Sequence, residues 1–156
     1  MVAGLSELHE LGFVHRDLKP ENIVLTLCRP IKVALIDFDR ALPTSNKSLT
    51  GPRGTPGYQP DTFKFEDGDV QWDLYSLVAI IAEADMGVNE YLKVQTEREG
   101  KGLLTKHLKD PKTCKELAAL VNAVILAPRG AELPTFPEVA ASIKKISFRK
   151  DVRQWE

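Results

Sequence analysis

The stretch from Trp72 to Met86, WDLYSLVAIIAEADM, constrains this chain more than any other. It is apolar on nearly every face, and a helix of that kind has to be buried all round. At 156 residues the chain is one ordinary domain, large enough to build a hydrophobic core. At the start, Val2, Leu5, Leu8 and Leu11 step by three, one face of a helix that Gly12 ends. The periodicity predicts an amphipathic helix over Tyr91–Arg98, a helix with a leucine and valine face over Thr113–Leu126, and a last helix over Phe136–Ile146. The Pro128–Pro137 stretch reads as a loop. Phe13 and Val14 form a short extended piece. Ile23–Leu27 and Ile31–Ile36 are strand-like runs joined by a turn at Cys28-Arg29-Pro30, one small hairpin. The fold class is mainly α with a small β-hairpin. Arg40–Asp61 is rich in Ser, Thr, Gly, Pro and Asn, and so long a connection is functional or mobile. The domain is expected to span 1–148, with a polar tail over 149–156.

Composition closes off several classes. A formal net charge of -1 leaves no bulk positive charge to hold a nucleic acid. No apolar run approaches the ~20 residues that span a bilayer, so no membrane partner is expected. The opening MVAGLSELHELGF lacks a basic flank, and Glu7 and Glu10 interrupt it, which argues against a signal peptide. It begins inside a helix with no preceding cap, as if something upstream were missing. Two cysteines, Cys28 and Cys114, are too few for a disulfide framework, though the pair could still join. A reduced, intracellular and cytoplasmic chain is the expectation.

The polar residues concentrate in His15-Arg16-Asp17-Leu18-Lys19-Pro20-Glu21-Asn22, a loop between helix and strand. A turn can bring Asp17 and Asn22 to one point, and the strand ending at Ile36 delivers Asp37. Two carboxylates and an amide make a hard, oxygen-rich site of the kind magnesium takes together with phosphates and water. Lys19 adds a cation suited to a transferring phosphate. On the residues alone, a solvated loop without a metal is an equal alternative.

The same eight residues match the protein-kinase catalytic-loop pattern H-R-D-L-x-x-x-N. The landmarks that follow come in the family's order: a hairpin, Asp37-Phe38, a long loop, Gly54-Thr55-Pro56-Gly57-Tyr58, and a buried helix. The chain therefore resembles the C-terminal lobe of a serine/threonine protein kinase, and Lys19-Pro20 is similar to the serine/threonine type. The resemblance implies ATP and magnesium as cofactors and a protein hydroxyl as substrate. It implies that Asp17 is the catalytic base, with Lys19 and Asn22 beside it. Lys19, Glu21, Asn22, Val24 and Asp37 would form the nucleotide site. Asn22 and Asp37 would hold magnesium, and Val24 would lie beneath adenine. Glu21 would alternatively favour a basic substrate residue or simply be solvated. Thr55 would bond near Asp17 and Lys19, and Asp73 would anchor the catalytic loop. Arg16 would pair with a phosphate on Thr44, Ser45, Ser48 or Thr50, or else satisfy local carbonyls.

Three departures qualify the resemblance. Asp39 stands where the family has glycine, a position at which aspartate costs backbone energy and adds negative charge, retuning magnesium or locking the loop. Gln59-Pro60-Asp61 replaces A-P-E, and Arg129 is the nearest stand-in for the arginine that would pair with its acid. No glycine-rich loop precedes His15, so His15 and Phe38 are expected to leave an apolar patch facing solvent. Three functions follow: a kinase lobe weak or inactive as this chain alone, a truncated or pseudokinase-like module that docks protein partners through its helical face without turnover, or a fragment with no role of its own. The exposed upper face is a place for a protein partner to cover.

Overall fold

The computed structural model describes residues 1–26, 29–48, 54–60, 66–96, 100–128 and 130–147. Among these the chain is mainly helical. In order the elements are α1 (Val2–Glu10), β1 (Phe13–Val14), a 3-10 turn (Pro20–Asn22), β2 (Ile23–Leu25), β3 (Val33–Leu35), β4 (Leu42–Pro43), α2 (Gln71–Met86), α3 (Val88–Thr96), α4 (Gly100–Leu108), α5 (Lys115–Val124) and α6 (Phe136–Ile143). Contacts divide the chain into two units, Met1–Leu77 and Val78–Glu156. None of the described helices is long and apolar enough to cross a membrane.

No residue of α2 is exposed, as its all-round apolar character requires. In the first unit Leu5, Val14, Leu18, Trp72, Leu74 and Leu77 are almost wholly buried. The hairpin pairs β2 with β3 antiparallel, Val24 opposite Ala34. Its labelled strands are shorter than expected, but the ladder runs on. Thr26 N–H donates to Lys32 O at 2.9 Å, and Ile36 N–H donates to Asn22 O at 3.0 Å. Leu27 and Cys28 lie outside the described residues.

A second two-stranded sheet was not legible in the sequence. Val14 faces Leu42 and Phe13 faces Pro43 across β1 and β4. Thr44 N–H donates to Gly12 O at 2.8 Å, Gly68 N–H to Asn46 O at 2.9 Å, and Asp67 N–H to Ser48 O at 2.9 Å. The segment read as poorly anchored is thus tied through 42–48 by main-chain bonds rather than by apolar side chains.

In the second unit, α3 packs on α4 and α5 on α6. The helix expected over Tyr91–Arg98 is α3, which starts three residues earlier at Val88, and a second helix, α4, follows it that was not expected. Gly100 and Gly102, poor helix formers, hid the second. Leu104 buries α4, and His107 Nε2 joins it to the buried Asp85 of α2 at 2.9 Å. α5 begins at Lys115 because Thr113 is spent on the preceding turn, its hydroxyl donating to His107 O at 2.8 Å. α6 starts at a capping box between Thr135 and Glu138 and ends at Ile143, three residues short of the expectation. Arg98, Arg129 and the 149–156 tail lie outside the described residues.

Candidate active site

The first unit places its polar loop between β1 and β2. Asp73, completely buried near the start of α2, organises that loop. Its Oδ2 accepts from His15 N–H at 2.8 Å, and its Oδ1 from Arg16 N–H at 2.8 Å. His9 Nε2 of α1 lies 2.8 Å from the same Oδ2. The anchoring role expected of Asp73 is therefore present as geometry, while His9 was missed: nothing in a lone histidine on a helix signals a partner sixty-four residues away. Arg16 sits at φ 66°, a left-handed conformation that costs a non-glycine residue ~1–2 kcal/mol. The bond to Asp73 offsets that cost.

Asp17 follows, its carboxylate nearly buried. Thr55 Oγ1 donates to Oδ1 at 2.8 Å, and Lys19 Nζ donates to Oδ2 at 3.3 Å and to Thr55 Oγ1 at 3.2 Å. The triangle expected of Asp17, Lys19 and Thr55 is formed. Gly54 makes it possible. A Cβ there would lie 3.0 Å from Gln59 Cβ and 3.2 Å from Arg16 O, so only glycine lets this turn approach. Arg40 Nε stands 3.7 Å from Asp17 Oδ2. Burial pushes the Asp17 carboxyl up, but bonds from Thr55 and Lys19 and the charges of Lys19 and Arg40 outweigh it. The net result holds the group below its ordinary value.

Asn22, also buried, donates from Nδ2 to Asp17 O at 2.8 Å, which leaves its Oδ1 as an acceptor. Its own carbonyl receives Ile36 N–H, so Asp37 emerges beside Asn22 where the hairpin ladder ends. His15 ties the two segments: its Nδ1 accepts from Asp17 N–H at 3.4 Å while Nε2–H donates to Ile36 O at 3.0 Å. Asp37, exposed, takes φ 64°. The left-handed residue in this turn is thus Asp37, and Asp39 is not strained. The conformational cost expected at Asp39 does not arise here.

Glu21 is exposed on the 3-10 turn, and Val24 is 41% exposed on β2. Phe38 is 46% exposed, its ring centroid 4.9 Å from that of His15. Of the pair expected to leave an apolar patch, Phe38 is exposed and His15 is fully buried. Arg16 pairs with a carboxylate that the sequence did not suggest. Its Nη2 donates to Asp67 Oδ1 at 3.1 Å, and its guanidinium lies 4.9 Å from the centre of the Trp72 ring. Ser48 Oγ lies 3.0 Å from the other oxygen of Asp67. A carboxylate four residues before α2 carried no signal of this in the sequence. Asp61, Arg129 and Thr50 lie outside the described residues, and with them the ion pair in place of A-P-E.

The arrangement holds an ionised carboxylate, a lysine and two oxygen donors at one end of a hairpin. The model of the protein kinase domain matches residues 1–133. Serine/threonine-protein kinase 36 of Pongo abelii is 33% identical over 112 residues, 71% of this chain and 8% of that protein. Serine/threonine-protein kinase PknD of Mycobacterium tuberculosis is 33% identical over 115 residues, 71% of this chain and 16% of that protein. Serine/threonine-protein kinase TIO of Arabidopsis thaliana is 35% identical over 88 residues, 56% of this chain and 7% of that protein. The matched stretches are small parts of these much longer relatives. With a family match over most of its length and the catalytic-loop geometry in place, this chain belongs to the protein kinase family.

Proposed function

We propose that residues 1–148 form the catalytic lobe of a serine/threonine protein kinase, directing phosphoryl transfer from magnesium-bound ATP to a protein hydroxyl. The observation that carries this is the Asp17–Lys19–Thr55 triangle, with Thr55 Oγ1 2.8 Å from Asp17 Oδ1. A carboxylate offers about four lone-pair positions. The hydrogen bonds from Thr55 and Lys19 occupy two, leaving room for an acceptor hydroxyl that Asp17 orients and whose proton it takes. Lys19 has a third N–H donor for the transferred group.

The residues fit the implied cofactors. Asn22 Oδ1 and the Asp37 carboxylate are hard oxygen donors, and Asn22 is held in orientation by its bond to Asp17 O. Bound magnesium supplies charge neutralisation on the phosphates. Lys19 and Glu21 flank the same turn, and Val24 offers an exposed apolar side chain for an adenine face. As this chain alone, transfer is expected near background, because positioning supplies most of the catalysis in phosphoryl transfer.

A second function, docking without turnover, is favoured by one observation. Leu8, Leu11, Val33, Leu35 and Phe38 line an apolar groove of about 230 Å³ between α1 and β3, which a protein partner would cover.

Magnesium-dependent nucleotide binding, measured by calorimetry on the chain, tests the kinase assignment. Asp37→Asn should weaken it, and Asp17→Asn should leave it nearly unchanged. Asp17→Asn should lower any transfer by roughly 10² to 10⁴. Nucleotide affinity indifferent to both magnesium and Asp37→Asn leaves only the docking function.

A further inference from the structure

Among the described cations near Asp17, Arg40 alone is half-exposed and not locked to a partner. Lys19 is committed to Asp17 and Thr55, and the guanidinium of Arg16 is buried against Asp67 and Trp72. Arg40 Nε is 3.7 Å from Asp17 Oδ2, a charge attraction rather than a hydrogen bond, with 49% of the side chain exposed. Its N–H donors therefore remain for another acceptor, and a fork of donors matches carboxylate and phosphate geometry. Arg40 also lines a cavity of about 450 Å³ together with Asp39, Leu42, Asn46, Ser48 and the paired Arg16 and Asp67. Asn46 Oδ1 accepts from Ser48 N–H at 2.9 Å and from Ser48 Oγ at 2.6 Å, which leaves the Asn46 amide as a second donor in that wall.

From this geometry we infer that Arg40 is a specificity-determining residue, which binds an anionic group on the substrate within a residue or two of the acceptor hydroxyl. The inference rests on the kinase assignment above. An acceptor hydroxyl has to come within ~3 Å of the Asp17 carboxylate. Arg40 then lies roughly 5–7 Å from it, one to two residues of extended peptide at about 3.3 Å each. The anion is a carboxylate or a phosphate, since both suit the fork. Asp39, an exposed carboxylate in the same wall, opposes it and keeps the preference moderate.

Four fluorescent peptides, identical but for residues beside a single serine, test this by anisotropy on the full chain without nucleotide. The flanks are glutamate, phosphoserine, glutamine or arginine. Glutamate and phosphoserine flanks should bind roughly tenfold more tightly than glutamine, the gain expected of one charge-assisted contact. Whichever binds more tightly identifies carboxylate or phosphate as the natural group. Arg40→Gln should abolish the preference, Arg40→Lys should keep part of it, and Asp39→Asn should strengthen it. Amide shifts at Thr55 and Asn22 should localise the peptide. Equal binding of all four, no binding of any, or a preference that survives Arg40→Gln overturns the inference. So does Arg40→Gln tightening every peptide alike, which would make Arg40 a plug over Asp17. If the preference holds while nucleotide binding ignores Asp37→Asn, the anion site stands and the kinase assignment falls. If nucleotide binding behaves and the preference is missing, only the Arg40 inference falls.

Discussion

Replacing Asp73 tests how the site is held. Its carboxylate is completely buried and receives two main-chain N–H groups, from His15 and Arg16, each at 2.8 Å. Hydrogen bonds to a charged group contribute ~1.5–3 kcal/mol each, and a buried donor left unmade costs ~1–3 kcal/mol. Asp73→Ala orphans both donors and releases the left-handed Arg16 from its anchor. The expected loss is roughly 3–5 kcal/mol, a large part of the ~5–15 kcal/mol that stabilises a typical domain. Asp73→Asn should cost less, about 2–3 kcal/mol, because the amide oxygen accepts one N–H while its NH₂ opposes the other. His9→Ala removes a single partner from the rim of the same carboxylate and should cost about 1 kcal/mol. Urea unfolding followed by Trp72 fluorescence, in a Trp155→Phe background, measures all three. A loss under ~1 kcal/mol for Asp73→Ala would refute the anchoring role. So would His9→Ala costing as much as Asp73→Ala.

Three further outcomes are expected. A Cβ on Gly68 would meet main-chain oxygens of Asn46 and Pro43 at 2.6 Å and of Thr44 at 2.8 Å; Gly68→Ala should therefore cost ~2–3 kcal/mol and speed amide exchange at Thr44 and Asp67, whereas unchanged exchange would show those ties to be unimportant. Gly54→Ala, crowding Gln59 and Arg16 O, should cost ~1–2 kcal/mol and separate Thr55 from Asp17, seen as a carboxyl carbon shift of Asp17 by NMR. The Asp17 carboxyl should titrate below its ordinary 3.8, so its stabilising contribution is complete above that pH and disappears as pH falls through the folded value; a titration midpoint above 3.8 would contradict the balance of burial against Thr55, Lys19 and Arg40.

The parts of the fold legible in sequence are those where one local property decides the outcome. The all-round apolar run fixed α2 as a buried helix, and β-branched runs flanking Arg29-Pro30 marked the hairpin. The second sheet was invisible because its strands are two residues each and meet across a long separation. α4 was missed because two glycines masked a helix whose stability comes from Leu104 and the His107–Asp85 pair. The catalytic-loop residues were legible as a motif, and Thr55 and Asp73 as partners through resemblance. Asp67, His9 and Arg40 were not, because each acts through a side-chain contact that only the folded chain creates.

The manner of anchoring bears on what the site can do by itself. Asp17, Lys19 and Asn22 are fixed by Asp73, Thr55 and main-chain groups, all within Met1–Leu77. None of these bonds uses the apolar side chains left exposed at Leu11, Val33 or Phe38. The hydrogen-bonded geometry of this loop is therefore formed without the groove's apolar side chains, and a partner covering the groove would not have to build the loop. Two properties separate as a result. Changes at Asp73 or Gly54 should disturb the loop whether or not the groove is covered. Changes at Leu11 or Phe38 should alter partner binding while leaving the Thr55–Asp17 contact intact. Arg16 follows the same logic: Asp67 already supplies the negative charge its guanidinium pairs with, so the 42–48 segment is held by a carboxylate built into the chain. Asp67→Asn should loosen that segment and raise amide exchange at Gly68. If it does not, the main-chain ties from Gly12 and Asn46 are sufficient alone, and the Arg16–Asp67 pair serves only to neutralise a buried charge.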